Sequence, residues 1–228
     1  MQIIKHLKEC SLFSGMTVEG LEGFSKWWTI KKYKRKQIIF KEQDRWSSFF
    51  YLLSGKVKLY RQNYFGKIQI FHIAKENEAL SYPFATGLHY PHTAEVLEDC
   101  TIAAIPFLYF QKIVNYYPEF FERALVYLSK NIYELENLIF RTANCSVENR
   151  LAYFLLSLEE KFGEGGARKR FLNIGLTQSE ISQALGTTRE TVSRILQRFV
   201  KEGYIEMRGK RIWISDKEKV RLLTKSKS

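Results

Sequence analysis

The spacing of apolar residues changes several times along this chain, and each change marks a new kind of element. Residues 1–28 carry short helical stripes: Ile3, Ile4 and Leu7, then Leu12-Phe13, then Leu21 and Phe24 in a turn bracketed by Thr17 and Gly20. From about Thr29 the period falls to two. Ile30, Tyr33 and 37–40 read as strands, and 49–53 and 57–60 as two strands parted by a Ser54-Gly55 turn. A turn at 63–66 leads into the alternating segment 67–73, and 94–96 and 100–105 add two more strands. Short strands at this spacing predict an antiparallel barrel or double sheet. The run Lys31-Lys32-Tyr33-Lys34-Arg35-Lys36 is most simply a solvated strand edge.

Helical spacing returns near Phe107. Pro118 stands at the tolerated first-turn position of a long helix. In that helix Phe121, Leu125, Leu128, Ile132, Leu135 and Ile139 follow at alternating steps of four and three, a heptad seam. A helix packed only on its own barrel also carries an apolar stripe. Val126, Leu138 and Phe140 widen this one, so it has surface for both the barrel and a partner, and a homodimer is the expectation. The pattern breaks at Ala143-Asn144-Cys145-Ser146, where Ser146 can cap a helix starting at Val147. The chain thus divides into a sensor barrel (1–117), a dimerisation helix (118–143), a hinge (144–146) and a C-terminal domain (147–228). In that domain 163–170 reads as a flexible basic loop and 171–175 as a short strand. Residues 203–207 and 211–214 read as a hairpin, with Arg208-Gly209-Lys210 as a basic tip suited to phosphate. The tail 225–228 reads as disordered.

The stretch 176–195 carries the chemistry. Thr177 and Glu180 have the spacing of a capping box, and Ile181, Ala184 and Leu185 form a buried stripe behind it. Gly186 falls where positive φ would end that helix, and Thr187 and Thr188 offer caps for the next. Val192, Ile195, Leu196 and Phe199 face inward. The opposite face is Arg189, Glu190, Ser193, Arg194 and Gln197. Arg can read guanine O6 and N7, a carboxylate can accept from cytosine N4, and Ser can donate or accept. An ordinary helical hairpin also has a polar outer face. Here two-helix length, a glycine turn and the Arg/Glu/Ser/Arg set coincide, which points to a DNA-reading helix-turn-helix.

Composition sharpens this picture. The net charge of the 228-residue chain is +12. Residues 147–228 hold 17 Lys/Arg against 10 Asp/Glu, and residues 1–146 hold 19 against 14, so the basic excess is denser around the helix-turn-helix. Three cysteines, Cys10, Cys100 and Cys145, have no close pair, which excludes a disulfide framework or a zinc site. No signal pattern and no membrane-spanning apolar run is present, so a cytoplasmic chain with no membrane partner is expected.

The order of elements resembles the CRP/FNR transcription regulators, named after the cyclic-AMP receptor protein and the fumarate–nitrate reduction regulator. The resemblance covers almost the whole chain. It rests on Leu52-Leu53-Ser54-Gly55-Lys56-Val57-Lys58-Leu59-Tyr60 and Leu97-Glu98-Asp99-Cys100-Thr101 in the barrel. More specifically it rests on Gly186-Thr187-Thr188-Arg189-Glu190-Thr191-Val192-Ser193-Arg194 followed by Gly203-Tyr204-Ile205. It implies an α+β chain: an N-terminal antiparallel β-barrel of the cyclic-nucleotide-binding type (a double-stranded β-helix), a long dimerisation helix and a C-terminal winged helix-turn-helix. It also implies a dimer on a pseudo-palindrome of double-stranded DNA, with RNA polymerase as a further partner if the chain activates. By the same resemblance Glu190 and Arg194 would read C and G of a TGA-type core. Arg189 matches the receptor-protein branch and Ser193 the other branch, so the reading face is a hybrid. Thr177, Ser179, Thr188, Thr191 and Lys210 fall where the family contacts backbone phosphate.

The sensor departs from the family pattern. Members that bind cyclic nucleotide carry Gly-Glu and then Arg-Ser or Arg-Thr; the matching places here read Asn77-Glu78-Ala79-Leu80-Ser81 and His92-Thr93-Ala94. A phosphodiester without the Arg loses its bidentate clamp, so cyclic-AMP binding in the usual mode is not expected. Three scattered cysteines do not supply the four of the iron–sulfur branch. The effector pocket is expected around Glu78, His89, His92, Thr93 and the loop 82–92. In a haem-based gas-sensing alternative, His89 or His92, or the thiolate of Cys10 or Cys145, would be the axial ligand. Surface or turn histidines are the plainer reading. His89, His92 and Glu95 have a spacing suggestive of a metal site, though on a turn into a strand they need not converge. A metal-dependent barrel enzyme with a DNA tether is a reading of another class, which no nucleophile–base pair or firm ligand set supports, and no catalytic residue is expected. Control by abundance or by cysteine oxidation, without a small ligand, is a third.

Overall fold

The computed structural model describes every residue except 1, 11, 14, 82–88, 118, 167–168, 173–174 and 225–228, and gives the backbone alone at 2, 165–166 and 169–170. The expected helix start at Pro118, the 82–88 part of the effector loop and the expected disordered tail lie outside the described residues. The chain forms two compact units: residues 1–61 with 72–134, and residues 62–71 with 135–228.

The first unit opens with helices α1 (Gln2–Glu9) and α2 (Val18–Ser25). Thr17 caps α2 by accepting from the Gly20 amide at 3.1 Å. Six strands follow: β1 (Thr29–Tyr33), β2 (Ile38–Phe40), β3 (Ser48–Gln62), β4 (Ile68–Ala74), β5 (Glu78–Ala79) and β6 (Thr93–Pro106). They form one antiparallel sheet in the order β1-β6-β3-β4, with β2 on β6 and β5 on β3. Among the described residues the ladder is an open path, where a closed barrel was one expectation. β1 is an edge strand with an almost wholly exposed face, as its lysine run predicts.

Two expected breaks between strands are absent. β3 runs unbroken through Ser54-Gly55, and β6 runs unbroken from 93 to 106. The two strands cross Ser54–Lys56 with register shifts, from Leu52 opposite Ile102 to Lys56 opposite Glu98. Gly55 sits at φ +91°, and a Cβ there would lie 2.5 Å from the Asp99 carbonyl oxygen. The Ser-Gly signal therefore marks a β-bulge inside a paired strand.

Helix α3 (Phe107–Tyr116) and residues 119–134 of α4 (Glu119–Asn144) complete this unit. Phe110 stacks on Phe49 at 4.5 Å, and Phe120 meets Phe13 at 5.5 Å, within a core that also holds Leu7, Leu12, Leu21 and Ile105. Each such buried side chain stabilises by about 1.5–3 kcal/mol.

The second unit holds the end of α4, α5 (Val147–Phe162), β7 (Gly163–Gly166), β8 (Lys169–Leu172), α6 (Gln178–Leu185), α7 (Arg189–Lys201), β9 (Ile205–Arg208), β10 (Arg211–Ile214) and α8 (Lys217–Leu223). α4 reaches Asn144, so Ala143-Asn144 are helical and the break is confined to Cys145-Ser146. Ser146 caps α5, accepting from the Asn149 amide at 3.2 Å. The segment expected as a loop at 163–170 pairs instead, β7 with β8, and extends the expected hairpin into a four-stranded sheet, β7-β8-β10-β9. α8, capped by Asp216, was not foreseen.

Candidate nucleic-acid interface

The helix pair is set by local backbone chemistry. Thr177 and Glu180 form the reciprocal capping box: the Thr177 amide donates to the Glu180 carboxylate at 2.9 Å, and the Glu180 amide donates to the Thr177 hydroxyl at 3.1 Å. Gly186 closes α6 in the left-handed region at φ +66°, its amide donating to the Ser182 carbonyl. Two residues later Thr188 caps α7, accepting from the Thr191 amide at 3.2 Å. The Arg150 guanidinium donates to the Leu185 carbonyl at 2.8 Å and ties the end of α6 to α5.

Tertiary packing then fixes which face of α7 is free. Val192, Ile195, Leu196 and Phe199 are all buried. Arg189, Glu190, Arg194 and Gln197 are exposed, while Ser193 and Thr191 are half-buried. α7 thus brings the four expected base-reading residues to its outward side, Ser193 being the most recessed. Of the expected phosphate contacts, Ser179, Thr188 and Lys210 are exposed and Thr177 is half-buried. The Thr177 hydroxyl is spent on the capping box, and those of Thr188 and Thr191 lie 3.1 Å apart.

β9 and β10 pair from Arg208 opposite Arg211 to Ile205 opposite Ile214, joined by Gly209 at φ +62° and Lys210. A cavity of about 440 Å³ is lined by Gly175, Arg208, Lys210, Arg211 and Trp213. The Arg208 guanidinium lies 5.7 Å from the Trp213 ring and that of Arg211 5.5 Å from Phe171. Arg208 belongs to the basic tip expected from sequence, and Arg211 was not singled out as a contact. The signal for Arg211 was present in the run Arg208-Gly209-Lys210-Arg211, because a tight turn places both flanking cations beside its tip.

On α4, Phe121, Leu125, Ile132, Leu135 and Ile139 of the seam are exposed and Leu128 is half-buried. The side turned into the core is marked by Phe120 and Ala124. Of the residues that widen the apolar stripe beyond the seam, Val126 and Phe140 are exposed and Leu138 is half-buried.

The expected pocket residues are engaged with their neighbours. The Glu78 carboxylate lies 2.8 Å from His72 Nε2. His92 is buried and donates from Nε2 to the Leu80 carbonyl at 3.1 Å; burial holds its pKa below the usual imidazole range. The Thr93 hydroxyl accepts from the Glu42 amide at 3.0 Å. His89 is exposed, in an isolated bridge with Arg45. A haem would need an imidazole or thiolate presented to its iron. His92 Nε2 is held on a carbonyl, and burial pushes the Cys10 thiol up to about 11, so neither fits that role. Among the described residues no three His, Cys, Asp or Glu side chains are grouped to hold a metal ion, and Glu95 pairs instead with Lys58 at 3.0 Å. No described helix is long and apolar enough to cross a membrane.

Comparison with known proteins adds independent findings. A cyclic nucleotide-binding domain model matches residues 30–117, and a Crp-like helix-turn-helix domain model matches residues 149–223. Electron transport regulator A of Shewanella oneidensis is 30% identical over 195 residues, covering 85% of this chain and 77% of that protein. The fumarate and nitrate reduction regulatory protein of Escherichia coli is 29% identical over 190 residues, covering 82% and 75%. The structure of FixK2 from Bradyrhizobium japonicum shares the fold, with a TM-score of 0.78 at 18% identity over 88% of this chain and 99% of that one.

Proposed function

The chain belongs to the CRP/FNR family of DNA-binding transcription regulators, whose members matched here are regulators and not enzymes, and from that premise we propose that it acts as a cytoplasmic homodimer on a pseudo-palindrome with TGA-type cores. The observation that carries this reading is the outward face of α7. Glu190 and Arg194 are exposed one helical turn apart, on a helix clamped from behind by four buried side chains. Glu190 accepts from cytosine N4, and Arg194 donates to guanine O6 and N7. Arg189 and Ser193 set the bases outside that core. Ser179, Thr188, Thr191 and the wing cations Arg208, Lys210 and Arg211 hold the backbone, and so fix register without reading sequence.

Two copies are needed because one α7 spans one half-site. The exposed seam from Phe121 to Ile139 supports pairing through α4. Replacing Leu125 and Ile132 together by Glu gives a monomer by sedimentation and weakens binding to the full palindrome far more than to a half-site. A still-dimeric variant would remove the α4 interface. The sensor acts without cyclic AMP in the usual mode, since Glu78 is paired with His72 and no arginine stands at His92. Its effector, or its apo state, acts by favouring one arrangement of the two reading helices over the other.

The test of the reading face is Arg194→Ala. Affinity for a TGA-core palindrome falls by about 1–3 kcal/mol, while affinity for random duplex stays near the parent's. An equal loss on both would overturn the base-reading role.

A further inference from the structure

A cavity of about 410 Å³ opens between the start of α5 and the outer flank of α7, lined by Glu148, Thr191, Arg194 and Arg198 together with Val147 and Ile195. Thr191, Arg194 and Arg198 stand at i, i+3 and i+7, so one side of α7 carries two cations and a hydroxyl into it. Arg198 was not part of the reading set drawn from sequence. Its guanidinium forms an ion pair with the Glu148 carboxylate, the two side chains being 46% and 30% exposed. That degree of exposure leaves the pair open to competition from solvent ions and incoming groups.

A guanidinium fork fits a carboxylate and a phosphate with the same bidentate geometry. We propose that Arg198 is a contact for a DNA backbone phosphate, and that Glu148 occupies that subsite in the DNA-free protein as an internal competitor. Duplex DNA displaces the carboxylate, and Arg198 passes from one anion to the other while Arg194, one turn nearer the start of the helix, engages its base. Glu148 therefore lowers affinity for all DNA sequences alike. It keeps the +12 chain from holding random duplex as tightly as its charge allows. The proposal rests on α7 being the DNA-facing helix.

The experiment titrates the TGA-core palindrome and a random duplex over a range of salt concentrations, with the parent protein, Glu148→Gln, Arg198→Gln and the double variant. Arg198→Gln weakens both duplexes equally and lowers the slope of log affinity against log salt by about one. Glu148→Gln tightens both by roughly two- to five-fold, the scale of an exposed ion pair. The double variant behaves like Arg198→Gln, because the gain needs the arginine. Denaturation midpoints of all variants are measured alongside; a purely structural ion pair would move those and leave the salt slope alone. An unchanged slope in Arg198→Gln, or weaker binding by Glu148→Gln, overturns the proposal. If Arg194→Ala still loses the palindrome selectively in that case, only the Arg198 subsite fails. If Arg194→Ala is also neutral, the assignment of α7 fails with it.

Discussion

The sensor pocket of the first unit and the reading helix of the second use polar side chains in opposite ways. In the first, Lys58 is matched to Glu95, Glu78 to His72 and His92 to the Leu80 carbonyl, all drawn inward. In the second, Arg189, Glu190 and Arg194 stand in water on a helix whose other side is fully packed. A buried charge must replace its hydration with partners in the fold, so it is held in one place. An exposed charge keeps its hydration until a partner from outside takes the place of water. Residue type does not distinguish the cases: a glutamate is structural in one unit and displayed in the other. Surroundings do, and so does the consequence of removal.

The largest effect is expected inside. Glu95→Ala leaves the Lys58 ammonium buried beside the Tyr60 ring, 5.6 Å away, without its carboxylate. Breaking a buried pair from one side costs about 3–5 kcal/mol, whereas Lys58→Met with Glu95→Leu regains most of that loss. Urea denaturation of the three proteins checks this, and equal stabilities would show that the pair is idle. Arg194→Ala is the mirror experiment. Its cost of about 1–3 kcal/mol appears in DNA affinity, while the denaturation midpoint moves by less than about 0.5 kcal/mol, as for an unpacked surface residue. A large stability change there would erase the contrast.

What sequence reveals follows the same division. The helix pair was legible almost residue by residue, because capping boxes, glycine ends and apolar stripes are local and each is written within a few positions. Thr177, Glu180, Gly186 and Thr188 all do what their spacing predicts. The strands were less legible. Ser54-Gly55 has the composition of a turn, and only the partner strand at Asp99-Cys100 decides that it is a bulge. The 163–170 segment looked like a loop because its glycines carry no apolar alternation, yet β8 supplies the hydrogen bonds that make it a strand. The sensor histidines were least legible. Their roles depend on the Leu80 carbonyl and the Glu78 carboxylate, which reach them through folding.

A smaller effect is expected where the second unit itself depends on an inward polar group. Thr177→Ala removes one half of the capping box at the start of α6 and costs about 0.5–2 kcal/mol of stability. Because Thr177 also stands among the phosphate contacts expected from sequence, the variant separates two uses of one hydroxyl. If capping is its whole role, DNA affinity stays at the parent's value once the fraction folded is accounted for. A loss beyond that, equal on palindrome and random duplex and at an unchanged salt slope because a hydroxyl carries no charge, would assign it to DNA as well.

The smallest effect concerns the thiols, and it again sets inward against outward. Burial pushes Cys10 up to about 11 and Cys100 up to about 12, from an ordinary value of 9.0. The folded chain therefore keeps these protons at a pH where the unfolded chain has released them. Above pH 9 the unfolded state binds fewer protons than the folded one, so stability falls as pH rises, through to about 12 where Cys100 itself ionises. Below pH 9 both states are protonated and these groups impose no dependence. Cys100→Ala removes one such group, and the decline between pH 9 and 11 becomes shallower by its share. Cys145, half-buried in the second unit, is the thiol that an alkylating reagent reaches first at pH 8. Mass spectrometry of the partially labelled protein reads the order directly. Equal labelling of all three cysteines would mean that the first unit opens to solvent as readily as the second displays its surface, and the contrast between an inward-turned sensor and an outward-turned reader would fail at its simplest chemical test.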